Sequence, residues 1–206
     1  IYKREPSFPI AVACDPAFNF VYEANIRYLH HLGEVTYFSP LADTSLPDAG
    51  FVYLPGGYPE LYLAALSANR QMLQSIRRYV ESGGKLLAEC GGMMYLCDEI
   101  RDKNGYVYPM AGVLHQSATM ENMKLRLGYR TLLYNETRLK GHEFHYSRLV
   151  EQQNPLPSCA VAYTAKGVET DTPLYHYKNV WAGYTHLYWA DPVGNEWFTK
   201  FVIDGN

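Results

Sequence analysis

The chain has 206 residues, 48% hydrophobic and 19% charged, with 16 Gly and 12 Pro, a balance that suits one folded domain and excludes a disordered, collagen-like or large multidomain polypeptide. Eighteen basic side chains against 21 acidic ones give a net charge of −3, so the basic excess that drives binding to nucleic acid or an anionic membrane is missing. No run approaches the roughly 18 apolar residues of a membrane span. Ile1-Tyr2-Lys3-Arg4-Glu5-Pro6 carries no apolar signal core, and a cytoplasmic protein without nucleic-acid or membrane partners is expected.

In chain order, Ile10-Ala11-Val12-Ala13-Cys14 is a short apolar run stopped by Asp15-Pro16, which predicts a buried strand. Tyr22, Ile26, Leu29 and Leu32 recur at helical spacing up to Gly33, a C-terminal cap residue, and Val35 to Phe38 reads as the next strand. A third strand, residues 51–54, runs into Pro55-Gly56-Gly57-Tyr58-Pro59. Leu73, Ile76 and Val80 mark one face of a helix ending at Gly83-Gly84, and residues 85–89 form a fourth strand. Short strands alternating with longer helices indicate βαβ units and a mostly parallel sheet covered on both faces, so the first half is α/β. After Gly105 the texture changes to strand-like runs at 127–134, 141–149, 161–165, 174–177 and 180–186, expected to extend or flank the same sheet. Asp191-Pro192 opens a closing helix through Phe198, Phe201 and Val202.

Four cysteines, Cys14, Cys90, Cys97 and Cys159, lack CxxC spacing and fit neither a disulfide framework nor a zinc cage, which leaves room for a working thiol. Cys90 stands out. In Leu86-Leu87-Ala88-Glu89-Cys90-Gly91-Gly92-Met93-Met94 an apolar strand passes through one cysteine and two glycines into a helical pattern, the form of a nucleophile elbow. At the N-terminus of that helix, free N–H groups and the helix dipole are expected to lower the thiol pKa. The bland alternative is a buried cysteine before a tight Gly-Gly turn. The Gly56-Gly57 turn lies at the end of the preceding strand, so both turns are expected to face one crevice, with the N–H groups of Gly57 and Gly91 forming an oxyanion hole. A phosphate loop is the competing reading of Gly56-Gly57, but no G-x-x-x-x-G-K-[ST] occurs.

A thiolate nucleophile needs a base. His186, at the end of the strand-like run 180–185, is the candidate, with His142 and His145 of Gly141-His142-Glu143-Phe144-His145-Tyr146-Ser147 as rivals. On a strand, residues three apart project to opposite faces, so this pair is poorly placed to chelate and no metal is expected.

Taken together, Tyr53-Leu54-Pro55-Gly56-Gly57-Tyr58-Pro59-Glu60, Leu66-Ser67-Ala68-Asn69, Ala88-Glu89-Cys90-Gly91-Gly92-Met93-Met94-Tyr95-Leu96, Gly128-Tyr129-Arg130, residues 141–147 and Tyr184-Thr185-His186-Leu187 closely resemble the C-terminal glutaminase domain of the cobyrinic acid a,c-diamide synthases. The resemblance implies a flavodoxin-like class I, triad-type glutamine amidotransferase fold over residues 1–206, with Cys90 attacking glutamine and His186 moving the proton. It also implies an N-terminal P-loop synthetase domain or subunit, absent from this chain, that binds ATP and Mg and most of the corrinoid acceptor. No cofactor is expected here. The chain begins with Ile and is expected to be an excised domain or one subunit of a split enzyme, poorly active or uncoupled without the synthetase part.

Many glutaminases place a glutamate two residues after the histidine, where this chain has Tyr188; the cobyrinate branch is similar in lacking it. Glu143 and Asp191 are candidate orienting residues on chemistry alone, with His142 as a further pocket candidate, and a backbone carbonyl would also serve. Related acceptors are nickel-sirohydrochlorin, a cobyric acid precursor and lipid II. A non-glutamine cysteine hydrolase and a catalytically dead partner domain are the alternatives from other classes.

Overall fold

The computed structural model describes residues 8–205, so the reading of residues 1–6 lies outside them. Its strands are β1 (Pro9–Ala13), β2 (Glu34–Phe38), β3 (Phe51–Leu54), β4 (Lys85–Glu89), β5 (Glu99–Arg101), β6 (Val107–Pro109), β7 (Ser117–Thr119), β8 (Arg126–Tyr134), β9 (Thr137–His145), β10 (Arg148–Leu149), β11 (Val161–Thr164), β12 (Glu169–Thr170), β13 (Leu174–Tyr177), β14 (Val180–Gly183) and β15 (His186–Leu187). The α-helices are α1 (Glu23–Leu32), α2 (Leu63–Ala68), α3 (Arg70–Glu81), α4 (Gly91–Leu96) and α5 (Pro192–Trp197).

The central sheet runs β13-β14-β4-β3-β1-β2, parallel throughout except for the antiparallel edge strand β13. Its inner strands β1, β3, β4 and β14 are near-continuously buried because both faces are covered. Leu86 and Ala88 of β4, with Val52 and Leu54 of β3, pack into one core, whereas Leu87, Phe51 and Tyr53 pack into the other. Strand alternation thus divides a single apolar run between two cores. Trp181, Trp189 and Trp197 all belong to the second core and are fully buried.

The expectation that the later strands extend or flank one sheet needs correction. Only β13 and β14 join the central sheet; β12-β11-β8-β9-β15 form a separate antiparallel sheet, and β10-β7-β5-β6 a small third one. The cause is the hairpin of two nine-residue strands, β8 and β9, closed by Asn135 and Glu136, both at positive φ as a tight hairpin turn requires. Its outer edges pair with β11 and β15 and it presents a half-solvated face, so it builds a sheet of its own rather than sitting inside the doubly covered one. The closing helix is shorter than expected: α5 gives way to a π-helical stretch at Phe198–Ile203. Helix α2 and the 3-10 turn Pro59–Leu61 were not anticipated. Among the described residues no helix is long and apolar enough to cross a membrane.

Candidate active site

Cys90 ends β4 and precedes α4 with φ 49° and ψ −109°, a left-handed conformation that costs a non-glycine residue on the order of 1–3 kcal/mol. The surroundings over-determine it. The Cys90 N–H donates to Gly183 of the neighbouring β14 at 2.7 Å, and its carbonyl accepts the Met94 N–H at 3.0 Å. A Cβ on Gly92 would stand 2.1 Å from the Leu54 carbonyl oxygen, so only glycine lets α4 pack over the end of β3.

The two glycine turns do meet. A Cβ built on Gly91 would lie 3.2 Å from the Gly57 nitrogen, and Gly57 lines the same crevice as Cys90. On the other side of the same loop, a Cβ on Gly56 would lie 2.2 Å from His186 Cε1. The imidazole of His186 fills the space that glycine leaves, with Phe20 against its other side at a centroid separation of 4.4 Å. Strand β9 ties the pair together: the Cys90 thiol donates to the Phe144 carbonyl at 3.6 Å, and His186 is paired across β15–β9 with His142, two residues earlier.

The thiol is not poised as a thiolate. Cys90 is 4% exposed, and burial first, then the carboxylate of Glu60, pushes its pKa up to about 12. Glu143 and Glu89 push the same way, against the Gly91 N–H. The expected depression by the helix end is outweighed by burial first and then by the three acids, and α4 has only six residues. His186 is 3% exposed, and burial, followed by His142 and His145, holds its pKa down at about 3, so the ring is neutral. The crevice that Cys90 shares with Glu60, Tyr58, Phe144, His145 and Tyr146 has a volume of about 10 Å³. That is room for about one water. A thiol held neutral in so small a crevice is a resting site.

The orienting residues come out differently from expectation. The Glu143 carboxylate accepts from Arg130 Nε, Thr172 Oγ1 and His145 Nε2, not from His186. Asp191 caps α5 by accepting the Gly194 N–H at 2.7 Å. His142 is half-buried and lies edge-on to Tyr129 at 5.5 Å. His186 Nδ1 has no hydrogen-bond partner among the described residues. Sequence reasoning missed Glu60, Phe20 and the Phe144 carbonyl as neighbours of the pair; the first sits in the quoted Pro59-Glu60 string, but nothing local announces the other two. The described residues include no cluster of three or more His, Cys, Asp or Glu able to hold a metal ion.

The fold is shared with solved structures that include glutamine amidotransferases. PurLQS from Thermotoga maritima superposes with a TM-score of 0.58 at 18% identity, covering 87% of each chain. A glutamine amidotransferase from the same organism does so with a TM-score of 0.54 at 12% identity, covering 95% of this chain and 82% of that one. Within that class the chain belongs to the CobB/CobQ-like glutamine amidotransferase domain family, whose model matches residues 9–193. It is 40% identical over 185 residues to the hydrogenobyrinate a,c-diamide synthase of Pseudomonas aeruginosa, covering 87% of this chain and 41% of that protein. It is 38% identical over 212 residues to the cobyrinate a,c-diamide synthase of Clostridium acetobutylicum, covering 98% of this chain and 46% of that protein. The chain thus spans less than half the length of these relatives.

Proposed function

We propose that this chain is the glutaminase part of an ATP-dependent a,c-diamide synthase acting on a cobyrinate-type acceptor in cobalamin biosynthesis. Cys90 attacks the side-chain amide carbon of glutamine, and its thiol proton passes to His186 and on to the leaving ammonia. Water then cleaves the glutamyl thioester, giving glutamate and restoring the thiol. The N–H groups of Gly57 and Gly91 hold the oxyanion of both tetrahedral intermediates. The ammonia displaces phosphate from acyl phosphates of the a- and c-acetate groups, which a P-loop synthetase domain or subunit forms from the carboxylates with ATP and magnesium. No residue of this chain is assigned to ATP, magnesium or the bulk of the corrinoid. A reaction drawing on ATP and glutamine belongs in the cytoplasm.

One observation carries the reading: Cys90 at positive φ on a β4–α4 bend with the Gly57 and Gly91 turns side by side, in a chain of this family. The closed crevice supports the expectation of low activity until the synthetase part docks. The test measures glutamate release by the chain alone and with a synthetase partner, ATP and cobyrinic acid, with mass detection of the diamide. Stimulated release that Cys90→Ala abolishes is expected. Undiminished release by Cys90→Ala would overturn the nucleophile, and amidation of nickel-sirohydrochlorin but not cobyrinic acid would reassign the acceptor.

A further inference from the structure

The hydrogen bonds of His145 define its protonation state. Its Nδ1 lies 2.8 Å from the Ser147 carbonyl oxygen and its Nε2 lies 2.6 Å from Glu143 Oε1. A carbonyl only accepts, and Arg130 and Thr172 on the other carboxylate oxygen help keep Glu143 ionised, so it also accepts. A neutral imidazole has one N–H and would press its bare nitrogen against an acceptor. Two acceptors therefore require two N–H groups, and the ring is an imidazolium. It is 6% exposed and lies flat on Tyr184, with centroids 3.7 Å apart and planes 9° from parallel, an arrangement that suits a cation on a π-face.

Its place gives that charge a use. His145 lines the Cys90 crevice on one side and, on the other, a cleft of about 550 Å³ that carries Arg126, Arg148 and Asp171. Facing it are Glu143 on its own strand, Arg130 on β8, Glu60 on the 3-10 turn and Tyr184 after β14, with His186 of β15 within electrostatic range. Arg130 and His145 both bond the Glu143 carboxylate, two cations to one anion, and His145 lines the crevice of a sulfur whose ionisation Glu60, Glu143 and Glu89 oppose. The same ring braces the cover of that sulfur, since its bond to the Ser147 carbonyl tightens the turn just after Phe144, whose carbonyl accepts the thiol hydrogen bond.

We propose that Arg130, Glu143 and His145 are a positioning unit for glutamine hydrolysis: Glu143 locks His145 as an imidazolium, whose charge stabilises the Cys90 thiolate and whose bond to Ser147 sets the strand over the sulfur. The inference rests on Cys90 being the glutaminase nucleophile. The proton lost by Cys90 goes to His186, because both nitrogens of His145 are already occupied. His145 therefore acts through Cys90 and exchanges no proton in the reaction.

The test follows thiol ionisation directly. Cys90 alkylation by iodoacetamide, mapped by peptide mass, is measured against pH for the full chain and for His145→Gln and His145→Asn. Both variants are expected to move the alkylation midpoint upward by about one pH unit or more and slow alkylation near neutrality about tenfold. Midpoints equal to that of the unaltered chain overturn the proposal. Should the variants fail to fold, ring 15N NMR of the unaltered chain decides: both His145 nitrogens protonated at neutral pH is the expected result, and a single N–H overturns the proposal. Neither readout uses glutamine, so a failure of the glutaminase reading, seen as no glutamate release, is distinguishable from a failure of this one.

Discussion

Glu89, the residue before the nucleophile, should make stability depend on pH in an unusual direction. It is 2% exposed and accepts from Tyr53 Oη at 2.7 Å, from the Leu187 N–H at 3.2 Å and from Trp189 Nε1 at 3.3 Å. Burial outweighs these bonds and raises its pKa from 4.5 to about 7. Between those values the native carboxyl keeps a proton that the unfolded one has lost. Its contribution is therefore fully present below about pH 4.5 and lost as pH rises through about 7. An interval of about 2.5 pH units at about 1.4 kcal/mol each amounts to about 3 kcal/mol. His186 works in the opposite sense: with its folded pKa lowered to about 3, its contribution is present above about 6.5 and lost as pH falls. Comparing Glu89→Gln with the unaltered chain isolates the first effect. The glutamine oxygen keeps the Leu187 and Trp189 bonds, and the Tyr53 hydroxyl can turn to accept from the amide. In urea unfolding at about pH 5 and pH 8, the variant should gain about 3 kcal/mol on the unaltered chain between the two conditions. Parallel curves would refute the reasoning, because they would mean that Glu89 is ionised throughout.

Gly92→Ala should cost about 3 kcal/mol or more in urea or thermal unfolding, because the new methyl meets the Leu54 carbonyl at 2.1 Å and backbone cannot give way as a side chain does. His186→Gln should lower glutamine-dependent ammonia release by roughly 10² to 10⁴ with the unfolding midpoint preserved, while His142→Gln stays within about tenfold; the reverse order would reassign the base. A diazoketone analogue of glutamine should alkylate Cys90 before Cys14, although Cys14 is exposed and Cys90 buried. Peptide mass mapping reads the order, and prior labelling of Cys14 would show that the crevice does not open to the substrate shape.

The α/β half was legible because its inner strands β1, β3 and β4 are apolar runs set off by glycine or proline, and burial on both faces needs no alternation. The half after Gly105 was not, because membership of a sheet is a matter of pairing rather than of local pattern. Nothing in residues 126–134 or 161–164 says that they pair with each other while residues 180–183 pair with β4. Helix α2 escaped notice for a related reason: six residues following a 3-10 turn are too few to show a period.

The candidate site divides along the same line. Backbone geometry was readable from sequence, since a bend that needs Cys90 at positive φ also needs small neighbours, and Gly91 and Gly92 are adjacent in the chain. Ionisation was not readable, because the groups that set it arrive from four separate elements. Glu60 comes from the 3-10 turn after β3, Glu89 from β4, Glu143 and His145 from β9, and Arg130 from β8. A helix end acts locally and its effect on Cys90 could be anticipated. Burial and three carboxylates reverse that effect, and of these Glu60 and Glu143 reach the sulfur only through tertiary packing. The thiol of the resting site is thus governed by tertiary contacts, so whatever lifts the 144–147 segment away from Cys90 must also change its ionisation.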